Sequence, residues 1–581
     1  MSSGPARVAR VNGPLVEVTG LTGIAMYDII ELGEHLLPGE AVALSGDVTT
    51  VQAYEYTGGL APGHPARSRG EPLSARLGPH LLGGIFDGLL RPLSGAPAWL
   101  EPGYSFTLAE DKEYEFSPLA AAGTPVGEGA SLGSVAVPGG IAYQVLVPPG
   151  LSGVLEKVRD AGPASGDAVI GTVSGTDVCL TTAWPVRRPR PYRRRLDGGS
   201  PLLTGQRVVD VLFPVQKGGS CAVPGGFGTG KTVLLQQITK WCDADVIVYV
   251  GCGERGNELA DMLAELAELS DPRTGGKLAA RTVVIANTSN MPMMAREASI
   301  YSGAAVAEHF RDMGLDVVVV ADSTSRWAEA LREFASRNGE LPAEEGYPAR
   351  LASALAAFYE RAGRVLTSEG REGSVTIIGA VSPAGGDMTE PVTAYTQRFV
   401  RSLWSLDREL AYARHYPAVS WAGSFSRDAA TVAAWHASSG DPGWADRMGR
   451  LAALLAEADR LGSLAELMGV AALPPRERVT ILAGRLIREG LLQQSAISSA
   501  DASCSPARAA ALAGAVLAVA ERCRELAGAG VPPATIEDQD FSPILRAREE
   551  AVTPEAVTAR EQAALARLDQ LRRPDEEGGN R

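Results

Sequence analysis

The stretch that decides the fold is Gly225-Gly226-Phe227-Gly228-Thr229-Gly230-Lys231-Thr232. It fits the pattern G-x-x-x-x-G-K-[ST], in which successive backbone N–H groups surround the phosphates of a nucleotide. In such loops the lysine reaches the β- and γ-phosphates, and the Ser/Thr hydroxyl ligates Mg²⁺. Glycines allow the tight turn and the close approach of backbone to ligand. The stretch therefore predicts a nucleotide-binding protein.

The flanks of this loop match the same interpretation. Residues 220–223 predict a short buried strand, and residues 233–238 predict a helix whose N-terminus faces the anion. The alternative is a glycine-rich turn that fits the pattern by chance. Because strand, loop and helix follow one another in the expected order, the sequence favours a phosphate loop.

Composition describes an ordinary globular protein with several domains. The chain has 581 residues, 45% of them hydrophobic and 21% charged, which is too long for a single core. No apolar stretch reaches the roughly 18–20 residues that span a bilayer, and the first residues lack the pattern of a signal peptide. We therefore expect no transmembrane segment and a cytosolic protein.

The net charge of −14 argues against nucleic acid as the main partner, because that binding depends on Lys and Arg neutralising phosphates. One local exception is the arginine- and proline-rich stretch at residues 187–195. It is either an extended linker between domains or a basic patch for nucleic acid, and its alternating prolines favour the linker. The six cysteines show no C-x-x-C spacing, which argues against a zinc site or a disulfide framework.

The pattern along the chain predicts a multidomain protein. Short β-type runs separated by glycine turns predict an N-terminal β-barrel, and a second glycine-rich β region predicts an inserted module. Strand–helix alternation then predicts an α/β domain with a parallel sheet. Alanine- and leucine-rich segments follow, including a helix with Thr553 as N-cap and Pro554 at its first position. The predicted ranges are 1–75 for the N-terminal β-barrel, 76–104 for a connecting segment, 105–190 for the inserted β-rich module and linker, 191–430 for the P-loop (RecA-like) ATPase domain and 431–581 for the C-terminal α-helical domain.

Two acidic residues follow predicted strands of the α/β domain. Asp322 ends the apolar run at residues 316–321, where a Walker-B aspartate would hold Mg²⁺ through its water shell. Its alternative role is to cap the next helix. Glu254 follows the run at residues 246–250 and is a candidate to polarise an attacking water, with Arg255 beside it to hold Glu254 or the γ-phosphate. The alternative is a solvated surface turn.

Several motifs resemble those of the catalytic A subunit of V-type/archaeal-type rotary ATPases. The resemblance extends from the N-terminal barrel to at least Gln494, and the region 105–185 is similar to the extra module that separates A subunits from the β subunits of F-type synthases. The motifs are residues 184–191, 225–232, 250–258, 285–292, 321–333 and 344–348.

The resemblance implies a role for each matching position. Lys231, Glu254 and Arg255 would be catalytic, and Thr232 and Asp322 would hold Mg²⁺, the latter through water. Tyr416 would stack on adenine, whereas the sequence alone favours an ordinary core aromatic. The implied nucleotide-binding residues are Gly225, Gly226, Phe227, Gly228, Thr229, Gly230, Lys231, Thr232, Val233 and Tyr416.

The resemblance also implies the cofactor Mg²⁺, the substrates ATP and ADP, and partners. A B subunit would alternate with this chain in a hexamer and supply an arginine finger, alongside central and peripheral stalk subunits and a membrane ion-translocating sector. The chain would lie peripherally on the cytoplasmic side of the membrane. The alternatives are a related hexameric ATPase of helicase or secretion type and a non-catalytic nucleotide-binding subunit. The acidic charge and the β-insert argue against the first, and intact Lys231 and Glu254 argue against the second.

Two departures from the family pattern concern the nucleotide. Gly226 stands where we expect proline or alanine. Residues 491–497 resemble the family's F-L-Q-Q-N-A-F, but both aromatics are aliphatic here, as Leu491 and Ile497. This difference predicts a weaker second wall of the adenine pocket.

Overall fold

A computed structural model of the protein describes residues 5–97, 100 and 112–572. The chain divides into two compact units. The first comprises Met1–Asp197, Lys217–Ser220 and Ala244–Val400, and the second comprises Gly198–Gln216, Cys221–Asp243 and Arg401–Arg581. The phosphate loop therefore belongs to the second unit, whereas Glu254 and Asp322 belong to the first.

The first unit begins with a closed antiparallel barrel. Its strands are β1 (Arg7–Asn12), β2 (Leu15–Thr19), β3 (Asp28–Leu32), β4 (Leu37–Ser45), β5 (Val48–Ala53) and β6 (Ala66–Pro72). They pair in the order β1-β2-β5-β4-β3-β6. A 3.0 Å hydrogen bond from the Ala66 N–H to the Ala6 carbonyl joins the start of β6 to the edge at β1. Because alternate residues of a strand face the core, Val16 and Val18 are both buried. The predicted barrel is confirmed.

The inserted region contains two antiparallel sheets. One has the strand order Pro125–Val126, Gly153–Val158, Val169–Val173 and Thr176–Cys179, and the other has the order Ala142–Leu146, Ser131–Ala136, Tyr114–Pro118 and Gly162–Ala164. Phe116, Leu132 and Tyr143 are among its buried side chains. The β-rich module is as predicted, but its predicted start at residue 105 lies outside the described residues.

A parallel sheet forms the centre of the first unit. Its strands lie in the order Glu372–Val381, Asp316–Asp322, Val246–Glu254, Thr282–Thr288 and Ile85–Phe86. Consecutive residues are buried along these strands, as expected when both faces of a parallel sheet are covered. Gly251 is the register partner of Asp322. Since adjacent parallel strands end at one edge, Glu254 and Asp322 share that edge.

Helices and short strand pairs complete the first unit. The helix Met293–Asp312 approaches the sheet closely, because a Cβ on Gly303 would lie only 2.5 Å from Val250 Cγ2. The strand Ser74–Leu77 pairs with Thr182–Pro185, and Arg194–Arg195 pairs with Gly363–Leu366. The other α-helices are Gly256–Glu268, Thr324–Arg337, Leu351–Tyr359 and Pro391–Phe399.

The arginine–proline stretch is more than the linker we predicted. Arg187 forms two-pronged hydrogen bonds with Glu40 of the barrel and Glu297 of the long helix, at 2.6–3.1 Å. Arg190 is buried and donates to Asp312 at 2.7 Å. Burial raises the pKa of Glu40 although the Arg187 charge opposes the shift. The stretch is extended as expected, but its first arginines are paired structural residues, which also argues against a patch for nucleic acid.

The second unit contains the phosphate loop and a set of helices. Its strands are Ser220–Pro224, Ser402–Leu403 and Phe425–Ser426. Its α-helices are Arg207–Leu212, Lys231–Trp241, Arg408–Tyr412, Ala429–Ser438, Trp444–Met468, Pro475–Ile487, Pro506–Gly528, Pro533–Glu537, Ser542–Leu545, Ala547–Glu550 and Pro554–Gln570. Thr553 caps the last helix, as predicted, by accepting a hydrogen bond from the Ala556 N–H at 3.3 Å. No helix among the described residues combines the length and apolarity needed to cross a membrane.

Candidate functional site

The phosphate loop joins a buried strand to a helix, as its sequence predicts. The strand Ser220–Pro224 leads into the loop, and the helix Lys231–Trp241 leaves it. Within the loop, the Thr229 hydroxyl donates to the Gly226 carbonyl at 2.8 Å, and Lys231 Nζ lies 3.4 Å from the Gly225 carbonyl oxygen. The lysine side chain therefore folds back over the loop that it follows.

Gly230 determines how the chain enters the helix. It is the N-cap residue with φ 82° and ψ 20°, a left-handed conformation that costs glycine little. The first turn then presents its backbone N–H groups, together with Thr232 and Val233, at the positive end of the helix dipole. This arrangement suits an anion such as a phosphate.

Tyr416 lies beside the same helix start. A Cβ added to Gly230 would be 3.2 Å from Tyr416 Cε1, so the aromatic ring borders the loop. The side chain is 41% exposed, which excludes the alternative of an ordinary core aromatic. Of the two aliphatic departures, Leu491 is buried, whereas Ile497 is 97% exposed.

Asp322 is the buried acid of the sheet edge. It ends the strand Asp316–Asp322 and is only 1% exposed. The N-cap of the following helix is Ser323, so the alternative role of Asp322 as the cap is wrong. The Tyr249 hydroxyl donates to Asp322 Oδ2 at 3.2 Å. Burial, followed by the charges of Asp322 and Glu254, raises the pKa of Tyr249 well above its usual value, so this phenol stays a donor.

Glu254 ends the neighbouring strand and is partly exposed. The preceding residue, Gly253, has φ +75°, and a Cβ there would lie 2.7 Å from Arg326 Cβ. The pKa of Arg326 is raised first by its hydrogen bond with Glu329, and the charge of Glu254 acts in the same direction. An ordered strand end therefore carries Glu254, which is not what a solvated surface turn would show.

Arg255 is the N-cap residue of the helix Gly256–Glu268. Its side chain is exposed, and its guanidinium lies 3.6 Å from Glu258. The surface-turn interpretation therefore describes Arg255 better than it describes Glu254. Its proposed place beside the γ-phosphate stays a prediction.

Sequence reasoning missed two residues of the sheet edge, Tyr249 and Arg326. Tyr249 interrupts an apolar strand, and a buried tyrosine hydroxyl generally finds a partner, which was an available signal. The closeness of Arg326 to Gly253 had no such signal, because it depends on how a helix packs over a neighbouring strand.

A phosphate loop between strand and helix, together with acids at the end of a parallel sheet, defines a P-loop nucleotide-binding protein. Four consecutive parts of the chain match parts of one family. Residues 205–426 match "ATP synthase alpha/beta family, nucleotide-binding domain", residues 8–70 match its beta-barrel domain, residues 106–187 match its barrel-sandwich domain, and residues 433–522 match the "C-terminal domain of V and A type ATP synthase".

Whole-chain relatives agree with these matches. The chain is 49% identical over 534 residues to the V-type ATP synthase alpha chain of Anaeromyxobacter dehalogenans, covering 91% of this chain and 92% of the relative. It is 46% identical over 537 residues to the corresponding chain of the A-type ATP synthase of Methanopyrus kandleri, covering 90% and 91%. The chain belongs to the ATP synthase alpha/beta family, in its V-type and A-type branch.

A solved structure shares the fold at greater distance. The ATPase EscN of the enteropathogenic E. coli type III secretion system superposes with a TM-score of 0.64, covering 88% of this chain and all of that chain, at 21% identity. At this identity the likeness concerns the fold alone.

Proposed function

We propose that this chain is the catalytic nucleotide-binding subunit of a rotary V-type/A-type ATPase, which hydrolyses or synthesises ATP coupled to the translocation of protons or sodium. The observation that carries the proposal is the pair of acids, Glu254 and Asp322, at one edge of the parallel sheet in a chain whose phosphate loop retains Lys231. A non-catalytic relative would have no need to keep all three.

The phosphate loop binds the nucleotide through its backbone. The N–H groups of residues 225–233 contact the phosphates, and the Lys231 ammonium stabilises charge on the β- and γ-phosphates. Tyr416 offers an aromatic face to the adenine ring. None of these contributions requires a base-specific hydrogen bond.

The chain also offers the type of donor that Mg²⁺ prefers. The Thr232 hydroxyl and the Asp322 carboxylate are oxygen donors, and Asp322 keeps its place because Tyr249 donates to it at 3.2 Å. When bound, the ion neutralises the charge of the phosphates. We assign Thr232 as a ligand and Asp322 as an acid that acts through water.

Glu254 positions the attacking water for in-line displacement at the γ-phosphorus. Arg255 stands beside it, and an arginine from a neighbouring B subunit completes the stabilisation of the transition state. Since that arginine comes from another chain, turnover depends on the interface and hence on assembly.

The assembly that we propose places this chain on the cytoplasmic side of the membrane. It alternates with B subunits in a hexamer around a central stalk, with peripheral stalk subunits and a membrane sector that carries the ion. The C-terminal helices of the chain transmit nucleotide-dependent closure to the central stalk.

The test replaces Glu254 with glutamine in the assembled complex. Glu254→Gln keeps the shape of the side chain but removes its charge, so ATP binding should persist while turnover falls by at least about 10³-fold. The matched control is Glu258→Gln, which changes the carboxylate that faces Arg255 one turn further along. Near-normal ATPase activity in Glu254→Gln would contradict the proposal.

A further inference from the structure

Tyr416 is tied to a segment that lies far away in the sequence. Its backbone carbonyl accepts a hydrogen bond from the Gln494 N–H at 2.8 Å. Its ring lies against Gly230 at the start of the phosphate-loop helix. Whatever fixes Gln494 therefore also fixes the height of the aromatic ring over the loop.

The Gln494 side chain is buried and is satisfied at both ends. Its Oε1 accepts from the Arg207 N–H at 2.8 Å, and its Nε2 donates to the Gly205 carbonyl at 2.8 Å. An amide held by one donor and one acceptor has a single orientation. Gln494 thus sets the register between the Tyr416 segment and the chain that precedes the helix Arg207–Leu212.

Arg207 holds the same segment with its guanidinium, which is completely buried. It donates to the carbonyls of Leu491 at 2.7 Å and Gln493 at 2.6 Å, and to the Asp501 carboxylate at 2.6 Å. Arg548 donates to the other oxygen of Asp501 at 2.9 Å. The planar fork of arginine suits this task, because it satisfies several acceptors in fixed directions.

The contacts close into a ring that includes the phosphate loop. Leu203 and Asp243 exchange hydrogen bonds of 2.9 and 3.1 Å. A Cβ on Gly205 would lie 3.1 Å from Trp241 Cβ, at the end of the helix that begins at Lys231. The path therefore runs from the loop along its helix, across to Gln494, through Tyr416 and back to the loop.

We propose that Gln494 and Arg207 are positioning residues for the base of the bound nucleotide. Neither touches the nucleotide; both place Tyr416 at the distance from the loop that a stacked base needs. They control affinity for the base and leave affinity for the phosphates unchanged. The inference rests on the proposed function, in which Tyr416 stacks on adenine. Since Ile497 is exposed and carries no ring, the base depends on this one aromatic residue.

The experiment measures binding of ATP and of tripolyphosphate, both with Mg²⁺, to the full chain. Tripolyphosphate has no base, so it reports on the loop alone. Gln494→Ala should weaken ATP binding about tenfold, in line with the worth of one base–aromatic stack, and leave tripolyphosphate binding within about twofold. The matched control is Gln493→Ala, whose amide reaches only the Arg414 carbonyl at 3.5 Å and whose loss should change neither affinity.

Two further variants keep the test decisive if Gln494→Ala folds poorly. Arg207→Lys retains the buried charge but loses the fork, and it should show the same selective loss for ATP. In a Tyr416→Ala background, Gln494→Ala should add no further loss. Equal losses for ATP and tripolyphosphate, or unchanged ATP affinity, would overturn the inference. A wild-type chain that binds no ATP would instead overturn the proposed function, and this inference with it.

Discussion

The phosphate loop and the edge of the parallel sheet are built by different means. In the loop, glycines with positive φ shape the backbone, and the groups offered to a ligand are N–H groups and one lysine. At the sheet edge, long apolar strands fix the backbone, and the groups offered are the carboxylates Glu254 and Asp322. The first region depends on conformation, and the second depends on the identity of side chains.

This difference teaches which substitutions each region tolerates. Phe227 in the loop is 89% exposed, so most changes there should matter little unless they disturb φ. In contrast, Asp322 is buried against Tyr249, and a change of its charge or length has no room to relax. The exception on the loop side is Lys231, whose function resides in its side chain.

The largest expected effect separates binding from chemistry. Lys231→Ala removes the ammonium group at the phosphates, so ATP affinity should fall and turnover of the complex should drop by about 10³-fold. Glu254→Gln should lose turnover while retaining ATP binding. Lys240→Ala, at the far end of the same helix, is the matched control and should stay near wild type. Loss of binding in both Lys231→Ala and Glu254→Gln would remove the distinction between the regions.

The next effect isolates backbone conformation within the loop. Gly228 and Gly230 have φ of +78° and +82°, so alanine at either position carries a strain of about 1–2 kcal/mol. Only Gly230 faces the Tyr416 ring at 3.2 Å, whereas a Cβ on Gly228 would meet nothing within 4 Å. Thermal melts should show similar destabilisation, but Gly230→Ala should bind ATP about fivefold more weakly than Gly228→Ala. Equal affinities would mean that Tyr416 exerts no influence on the loop.

A smaller effect concerns pH on the loop side. His415, next to Tyr416, has its pKa lowered to about 4 by burial, with the charges of Arg488 and Arg548 acting in the same direction. The folded state therefore binds fewer protons than the unfolded state between pH 6.5 and about 4. Stability is full above pH 6.5 and falls as the pH is lowered through this window, by up to about 2 kcal/mol at pH 5. Denaturant titrations at pH 7 and 5 should show a smaller difference for His415→Gln, and an unchanged difference would contradict this origin.

The smallest effect concerns the sheet edge. Tyr249→Phe removes the hydroxyl that donates to Asp322 and should cost about 1 kcal/mol of stability. If Tyr249 orients the acid that we assign to Mg²⁺, the variant should also require a higher Mg²⁺ concentration for half-maximal ATPase activity. A loss of stability with an unchanged Mg²⁺ requirement would make the hydrogen bond purely structural.

Local patterns predicted much of this molecule. The order of strand, loop and helix around Lys231 follows from glycines and apolar runs that lie close together in the sequence. The strand ends at Glu254 and Asp322 follow from where apolar runs stop. Thr553 and Pro554 predicted a helix start because capping acts over a single turn.

Contacts between distant segments escaped prediction. The bond between Tyr249 and Asp322 depends on the register of two parallel strands, which no single run of sequence specifies. The arginine–proline stretch read as a linker because the partners of Arg187, namely Glu40 and Glu297, lie more than 100 residues away on either side. The roles of Tyr416 and Arg255, and the boundaries between domains, stay predictions.

The cluster around Arg187 has a mechanical consequence. Its guanidinium joins Glu40 on a barrel strand to Glu297 on the helix that packs against the parallel sheet. Pulling the barrel away would strand buried like charges without their counter-ion, which resists small displacements far more than an apolar contact would. The barrel and the sheet should therefore transmit load as a single piece, and a chain that works under torque has in Arg187 a rivet rather than a hinge.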